Sequence, residues 1–176
     1  MTNKHGDFVW YELLSPDTAA SVCFYSRLLG WQVSDDPEYR EIKASEGMVG
    51  GMFQLTPEMT SGGARPAWLG YIMVDDVDRT LERIGAAGGQ VLMPARDMDG
   101  VGRFALVADP QGAPFYIITP EGAADDTSHA FAAERPMPGH CAWNELATSD
   151  PPAAWRFYGD LFGWVKDGHM DMPVLS

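Results

Sequence analysis

Basic residues are scarce in this chain of 176 residues: 12 Lys and Arg stand against 25 Asp and Glu, a formal net charge of −13. Electrostatic attraction to phosphate needs an excess of Lys and Arg on some face, so this balance argues against nucleic acid and anionic membrane as partners. Cysteine is nearly absent. The two present, Cys23 and Cys141, indicate neither a disulfide framework nor a CxxC metal pair. No apolar run approaches the roughly 20 residues that cross a bilayer. The opening MTNKHGDFVW lacks the apolar core of a signal peptide, and a soluble, cytoplasmic protein is the expectation. P-loop, GxGxxG in strand-to-helix context, GxSxG and HExxH motifs are all missing, so nucleotide and covalent-hydrolase chemistry are unsupported. His5, His129, His140 and His169 are too scattered to form a metal cluster.

What the chain does have is a repeat. Gly6 to Trp31 (GDFVWYELLSPDTAASVCFYSRLLGW) returns as Gly139 to Trp164 (GHCAWNELATSDPPAAWRFYGDLFGW), ungapped at an offset of 133, with 11 of 26 positions identical. Trp10/Trp143, Glu12/Glu145, Asp17/Asp150, Phe24/Phe157 and Tyr25/Tyr158 are among the identities. A fainter echo at an offset of 59 places Leu13, Asp17, Gly30 and Val33 on Ile72, Asp76, Gly89 and Leu92. Fixed-period self-similarity of this kind means units of about 60 residues.

Each unit begins with a short alternating apolar run, then an Asp, a helical stretch and a Gly. Phe8 to Leu14 reads as a strand, Asp17 as an N-cap, Ala20, Phe24 and Leu28 as one helical face, and Gly30 as the left-handed stop. Strands follow at about 39–44 and 48–55, then a loop over 56–66 rich in Gly, Pro, Thr and Ser. The second unit repeats the plan: a strand over 67–74, Asp76 as cap, Val77, Leu81 and Ile84 as the helix face, and strands near 90–93, 103–108 and 114–119. Two βαβββ units result, about 6–56 and 67–120, forming one module over 6–120. Residues 121–138 read as a linker, and 139–176 as the incomplete start of a second module, with a strand and a helix. That helix, carrying Trp155, Tyr158, Leu161 and Phe162, is too apolar to stay solvated and predicts a partner, most simply a second chain in a homodimer.

The βαβββ pair, the signature LxxPDxxxxxxFYxxLxGW over Leu13 to Trp31, the run YIMVDDVD over Tyr71 to Asp78 and the turn DPQGAPF over Asp109 to Phe115 resemble the vicinal oxygen chelate superfamily. That superfamily holds glyoxalase I, extradiol dioxygenases, fosfomycin-resistance enzymes and bleomycin-binding proteins; within it the chain is most similar to the tandem glyoxalase-like proteins. The resemblance implies an α+β fold whose paired units form a half-open barrel around a cleft. In the family's metalloenzymes, His and Glu from the first and last strands of the units hold a divalent metal that acts as a Lewis acid. The matching positions here are Trp10, Leu69, Tyr116 and approximately Gln54, none a good ligand for such metals. Fold alone does not transfer the chemistry, and no cofactor is expected.

Strand alternation places Trp10 with Glu12, and Leu69 with Tyr71 and Met73, on faces that the resemblance aims into the cleft. Glu12 is the candidate proton carrier: a carboxyl in partly apolar surroundings has its pKa raised toward the range of a general base. A structural role for it, accepting hydrogen bonds from backbone or Arg103, stays open beside that. Trp10, Gln54, Leu69, Tyr71, Met73, Phe104 and Tyr116 are candidate substrate-binding residues, with Arg103 as an anchor for an anionic group. The expected function is binding of a small organic molecule in an apolar-aromatic cleft without the family's metal. A metal-dependent lyase or dioxygenase using Glu12 and His5, and a non-catalytic interaction module, are the alternatives.

Overall fold

A computed structural model describes residues 2–122 and 127–168; His169 and the last residues of the third unit lie outside them. The first unit is β1 (Phe8–Ser15), α1 (Thr18–Leu29), β2 (Gln32–Val33), β3 (Tyr39–Ala44) and β4 (Gly47–Gln54). After a short helix α2 (Pro57–Ser61), the second unit is β5 (Ala67–Met73), α3 (Val77–Ala86), β6 (Gln90–Met98), β7 (Gly102–Ala108) and β8 (Pro114–Pro120). A last helix, α4 (Pro151–Phe162), belongs to the third unit. The long helices start as the sequence implies: the side chains of Asp17, Asp76 and Asp150 accept from the backbone N–H three residues on. Gly30 and Gly163 close α1 and α4 in the left-handed conformation.

The eight strands form one curved, unclosed sheet in the order β2-β3-β4-β1-β5-β8-β7-β6. Its centre is the antiparallel pair β1 and β5, where Trp10 lies opposite Tyr71, Tyr11 opposite Gly70 and Glu12 opposite Leu69. Since Trp10 and Leu69, and Glu12 and Tyr71, are equivalents at the offset of 59, this register is a local two-fold axis through Tyr11 and Gly70. The faint echo in the sequence is thus the symmetry of the sheet. A bulge between Phe8 and Trp10 turns Val9 to the side of Trp10 and sends Phe8 to the opposite face.

Helices cover one face and leave the other open as a cleft. α1 sets Val22 and Tyr25 against Leu13, Ile42, Val49 and Met52. α3 and α4 pack together over Ile72, Val107, Phe115 and Ile117. Arg83 of α3 donates to the carbonyls of Asp160 and Leu161, satisfying the exposed end of α4 with a cation where the helix dipole favours one.

Several expectations need correction. The Ala20, Phe24 and Leu28 face of α1 is not the buried one: Phe24 is 59% and Leu28 64% exposed, and the helix turns Val22 and Tyr25 inward instead. The 56–66 loop contains α2. The strand ending at Met93 runs on past Pro94 to Met98, because the register slips between Met93 and Arg96 and the missing proline N–H leaves no gap in the ladder. Residues 127–138 of the expected linker are docked on the module: Ala130 is fully buried, and the Ser128 hydroxyl donates to the Val9 carbonyl. The third unit forms its helix, but among the described residues, 141–148 have no ladder partner beyond one bridge between Phe131 and Cys141, so the expected first strand is not formed there. Finally, the apolar helix that called for a second chain is covered within this one, with Phe157 5%, Leu161 3% and Phe162 3% exposed. The ground for a homodimer is thereby removed.

Candidate functional site

The open face of the sheet is a cleft of about 1920 Å³, lined by Val9, Leu14, Leu69, Tyr71, Met73, Phe104, Tyr116 and Ile118 among others. Every strand of the second unit's half contributes alternate residues to it, as the period of two requires. Tyr71 and Tyr116, neighbours in the parallel β5–β8 ladder, stack with ring centroids 4.1 Å apart at 7°. Phe104 lies beside both at 6.2 and 6.4 Å, completing an aromatic wall.

Glu12 sits on the floor of this cleft with 6% exposure. The Tyr71 hydroxyl donates to its carboxyl at 3.1 Å, and the hydroxyls of Tyr116 and Tyr39 face it as further donors. Tyr39 is itself held by the Trp10 indole N–H, which donates to its oxygen at 2.9 Å. Gly51, paired with Glu12 across β1 and β4, makes room for the Tyr39 phenol: a Cβ there would collide with its hydroxyl. The Arg96 guanidinium lies over the Phe104 ring, 5.0 Å from its centroid, and its charge is felt at Glu12.

Burial raises the Glu12 pKa above the ordinary carboxylate range; the phenol donors and Arg96 oppose the rise without cancelling it. Burial also raises the pKa values of Tyr39, Tyr71 and Tyr116, reinforced by the Glu12 charge, so these phenols stay protonated donors at any physiological pH. Because the folded state raises the Glu12 pKa, the protonated form is the one folding favours. Stability linked to this group is fully present below its unfolded value near 4.5 and falls as pH rises through the folded value. Glu12→Gln, always neutral, should therefore melt with wild type at pH 4 and above it at pH 8; calorimetry across that range checks the sign.

The structure brings together Trp10, Glu12, Leu69, Tyr71, Met73, Phe104 and Tyr116 around the cleft. It does not bring Gln54 or Arg103. Phe104 and Arg103 are adjacent on one strand and point to opposite faces; Arg103 binds Asp78 at 2.8 Å and Asp97 at 3.0 Å on the helix side, not Glu12. Gln54 follows Phe53 in the same way, and its amide oxygen accepts from the Thr18 N–H and hydroxyl at the start of α1. Arg103→Ala should leave ligand affinity in the cleft unchanged and the melting temperature nearly so, as exposed ion pairs contribute little; titration of one bound ligand into both proteins tests this. Tyr39 and Arg96 were missed from the sequence. Arg96 was hidden by Pro94, which ended the strand too early, whereas the alternation of Tyr39 and Glu41 in β3 was available as a signal.

His5, the alternative ligand, is on the far side of the sheet, its ring nitrogens directed to the Leu161 carbonyl and to Asp75. Among the described residues no three His, Cys, Asp or Glu side chains are grouped to hold a metal ion. At the positions where the resemblance puts ligands, the donor set is an indole, an isobutyl group, a phenol engaged with Glu12, and an amide committed to α1. These residues do not fit a divalent cation of the family's kind.

Residues 7–117 match the Glyoxalase/Bleomycin resistance protein/Dioxygenase superfamily. The chain belongs to this superfamily. It is 36% identical over 179 residues to "Putative glyoxylase CFP32" of Mycobacterium bovis, a match covering 98% of the chain and 65% of that protein. It is 32% identical over 169 residues to the anthracycline biosynthesis protein DnrV of Streptomyces peucetius, covering 88% of the chain and 59% of DnrV. The chain thus spans about two thirds or less of the length of these curated relatives. Homoprotocatechuate 2,3-dioxygenase from B. fuscum shares the superfamily fold, with a TM-score of 0.50 at 20% identity over 68% of the chain and 33% of the dioxygenase. Among the described residues no helix is long and apolar enough to cross a membrane.

Proposed function

We propose that this superfamily member binds a small, flat, largely apolar organic molecule against the Tyr71, Phe104 and Tyr116 wall, and that Glu12 moves a proton to or from it without a metal. The observation that carries the reading is a single carboxyl, almost fully buried, at the floor of an aromatic cleft and ringed by three phenols. An apolar site with few placed polar groups is the usual form of a small-molecule pocket. A carboxyl whose pKa is raised toward neutrality is matched to general acid–base work. DnrV, named for anthracycline biosynthesis, supports a ring-containing ligand.

The division of labour follows from position. Ionised Glu12 takes a proton from a carbon or hydroxyl of the ligand; as its charge is lost, the phenols of Tyr71 and Tyr116 turn their single O–H donors from the carboxyl to the ligand oxygen on which charge develops. Arg96, with no carboxylate partner in hydrogen-bond reach among the described residues, favours that developing negative charge from the rim. The deciding experiment has two arms. Elemental analysis before and after soaking in Mn²⁺, Fe²⁺, Ni²⁺ and Zn²⁺ should find no stoichiometric metal. A thermal-shift screen of polycyclic phenols and quinones should find ligands whose stabilisation is lost in Tyr71→Ala. Stoichiometric metal that disappears in Glu12→Ala would overturn the reading.

A further inference from the structure

Met93, Phe104 and Leu106 line the cleft, and so does Arg96. Alternation along β6 does not account for that. Counted from Met93, it would put Ala95 in the cleft and Arg96 on the helix side of the sheet. The structure has the reverse: Ala95 packs against the helix-side cluster that includes Val107 and Phe115, and Arg96 pairs with Phe104 on the cleft side. Between the Met93–Leu106 pair and the Arg96–Phe104 pair, β6 advances by 96 − 93 = 3 residues and β7 by 106 − 104 = 2. The extra residue falls at the Pro94-Ala95 step, and a proline, with no N–H to withdraw from the ladder, is at home in such a bulge. The effect of the bulge is to turn one cation into the cleft.

That cation is uncommitted. Among the described residues two cations line the cleft, Arg65 and Arg96. Arg65 donates to the carbonyls of Thr60 and Ala64. Arg103, near Arg96 in the same ladder but on the other face, is held by Asp78 and Asp97. Arg96 rests over the Phe104 ring, 5.0 Å from its centroid, and no acceptor among the described residues lies in hydrogen-bond reach of it. The ring contact keeps the guanidinium at the edge of the aromatic wall and leaves its donors available to another group. Its charge acts on both Glu12 and Tyr116, so one small flat molecule can reach the guanidinium and the buried carboxyl together.

We propose that the ligand of this cleft carries a carboxylate and that Arg96 selects it, taking the carboxylate at the rim while the ring system lies on the Tyr71, Phe104 and Tyr116 wall. This rests on the reading that the wall takes a flat organic ligand. Two parallel N–H groups of a guanidinium match the two oxygens of a carboxylate. With a net charge of −13 the protein as a whole disfavours an anion, so recognition depends on this local contact. A guanidinium neutralised by the bound carboxylate acts less on the reacting oxygen, which leaves that task chiefly to the Tyr71 and Tyr116 phenols.

The test uses matched probes, 2-naphthoate and 6-hydroxy-2-naphthoate with their primary amides, titrated calorimetrically into the 176-residue protein. Each acid should bind about tenfold or more tightly than its amide, as a charge-assisted pair implies, and added salt should shrink that ratio. Arg96→Gln should bring the ratio close to one, and Arg96→Lys, which keeps the charge and loses the fork, should leave an intermediate value. Arg96 is exposed, so both variants should fold and melt close to wild type. Arg103→Gln, on the other face, should keep the wild-type ratio. Acid and amide binding equally well to wild type, or a ratio that survives in Arg96→Gln, would overturn the proposal; if the amide's binding is still lost in Tyr71→Ala, the reading of the wall stands without it. Binding of neither acid nor amide would bring down both.

Discussion

Asp109→Ala should destabilise the protein by about 3–4 kcal/mol and lower its melting temperature by roughly 6–16 °C. Asp109 is fully buried. One carboxyl oxygen accepts from the Gln111 and Ala113 N–H groups at 2.9 Å and so shapes the turn between β7 and β8. The other accepts from the Tyr158 hydroxyl at 3.1 Å and ties α4 to that turn. Removing the acceptor leaves one buried donor, the Tyr158 hydroxyl, and two part-buried N–H groups unpaired, and each costs desolvation in proportion to its burial. Tyr158→Phe, which takes away one donor and leaves the turn intact, should cost about 1 kcal/mol. Denaturant unfolding of both variants separates the two contributions; equal losses would mean that the turn, not α4, is insensitive to Asp109.

Glu12→Gln should lower turnover of any substrate by about 10²–10⁴-fold while ligand binding and the fold persist. The amide is nearly isosteric and can still accept from Tyr71, so the aromatic wall keeps its geometry; what disappears is the group that ionises. In wild type the rate should rise through an ionisation lying above the ordinary carboxylate range, in the direction that burial imposes on Glu12. That limb should be absent from the residual rate of Glu12→Gln. A pH profile of kcat/KM decides the matter: an unchanged limb in the variant would assign the proton transfer elsewhere, and an unchanged rate would return Glu12 to the structural role of holding three phenols.

The sequence by itself determined the units, their caps and the face of each central strand, because these rest on local rules. An Asp at the helix start, a Gly at its end and side-chain alternation act within a few residues, and both repeats report them twice. Trp10, Glu12, Tyr71 and Tyr116 were legible as one site on those grounds, given the family resemblance. Phe104 and Arg103 could not both line one face, and alternation applied strictly would have separated them.

Only the tertiary structure decided which apolar stripe of a helix is inside. Phe24, Leu28 and Leu29 carry the same local pattern as Phe157, Leu161 and Phe162, yet the first set is exposed and the second buried. Burial is a property of the surface that arrives from elsewhere in the chain, and here α4 is covered by α3 and the strands of the second unit while the equivalent stripe of α1 stays exposed. The same holds for Tyr39 and Arg96, whose places beside Glu12 depend on how β3 and β6 register against their neighbours. Residues 141–148 share the sequence pattern of β1 but have no such ladder among the described residues, since a strand exists only where another strand answers its hydrogen bonds.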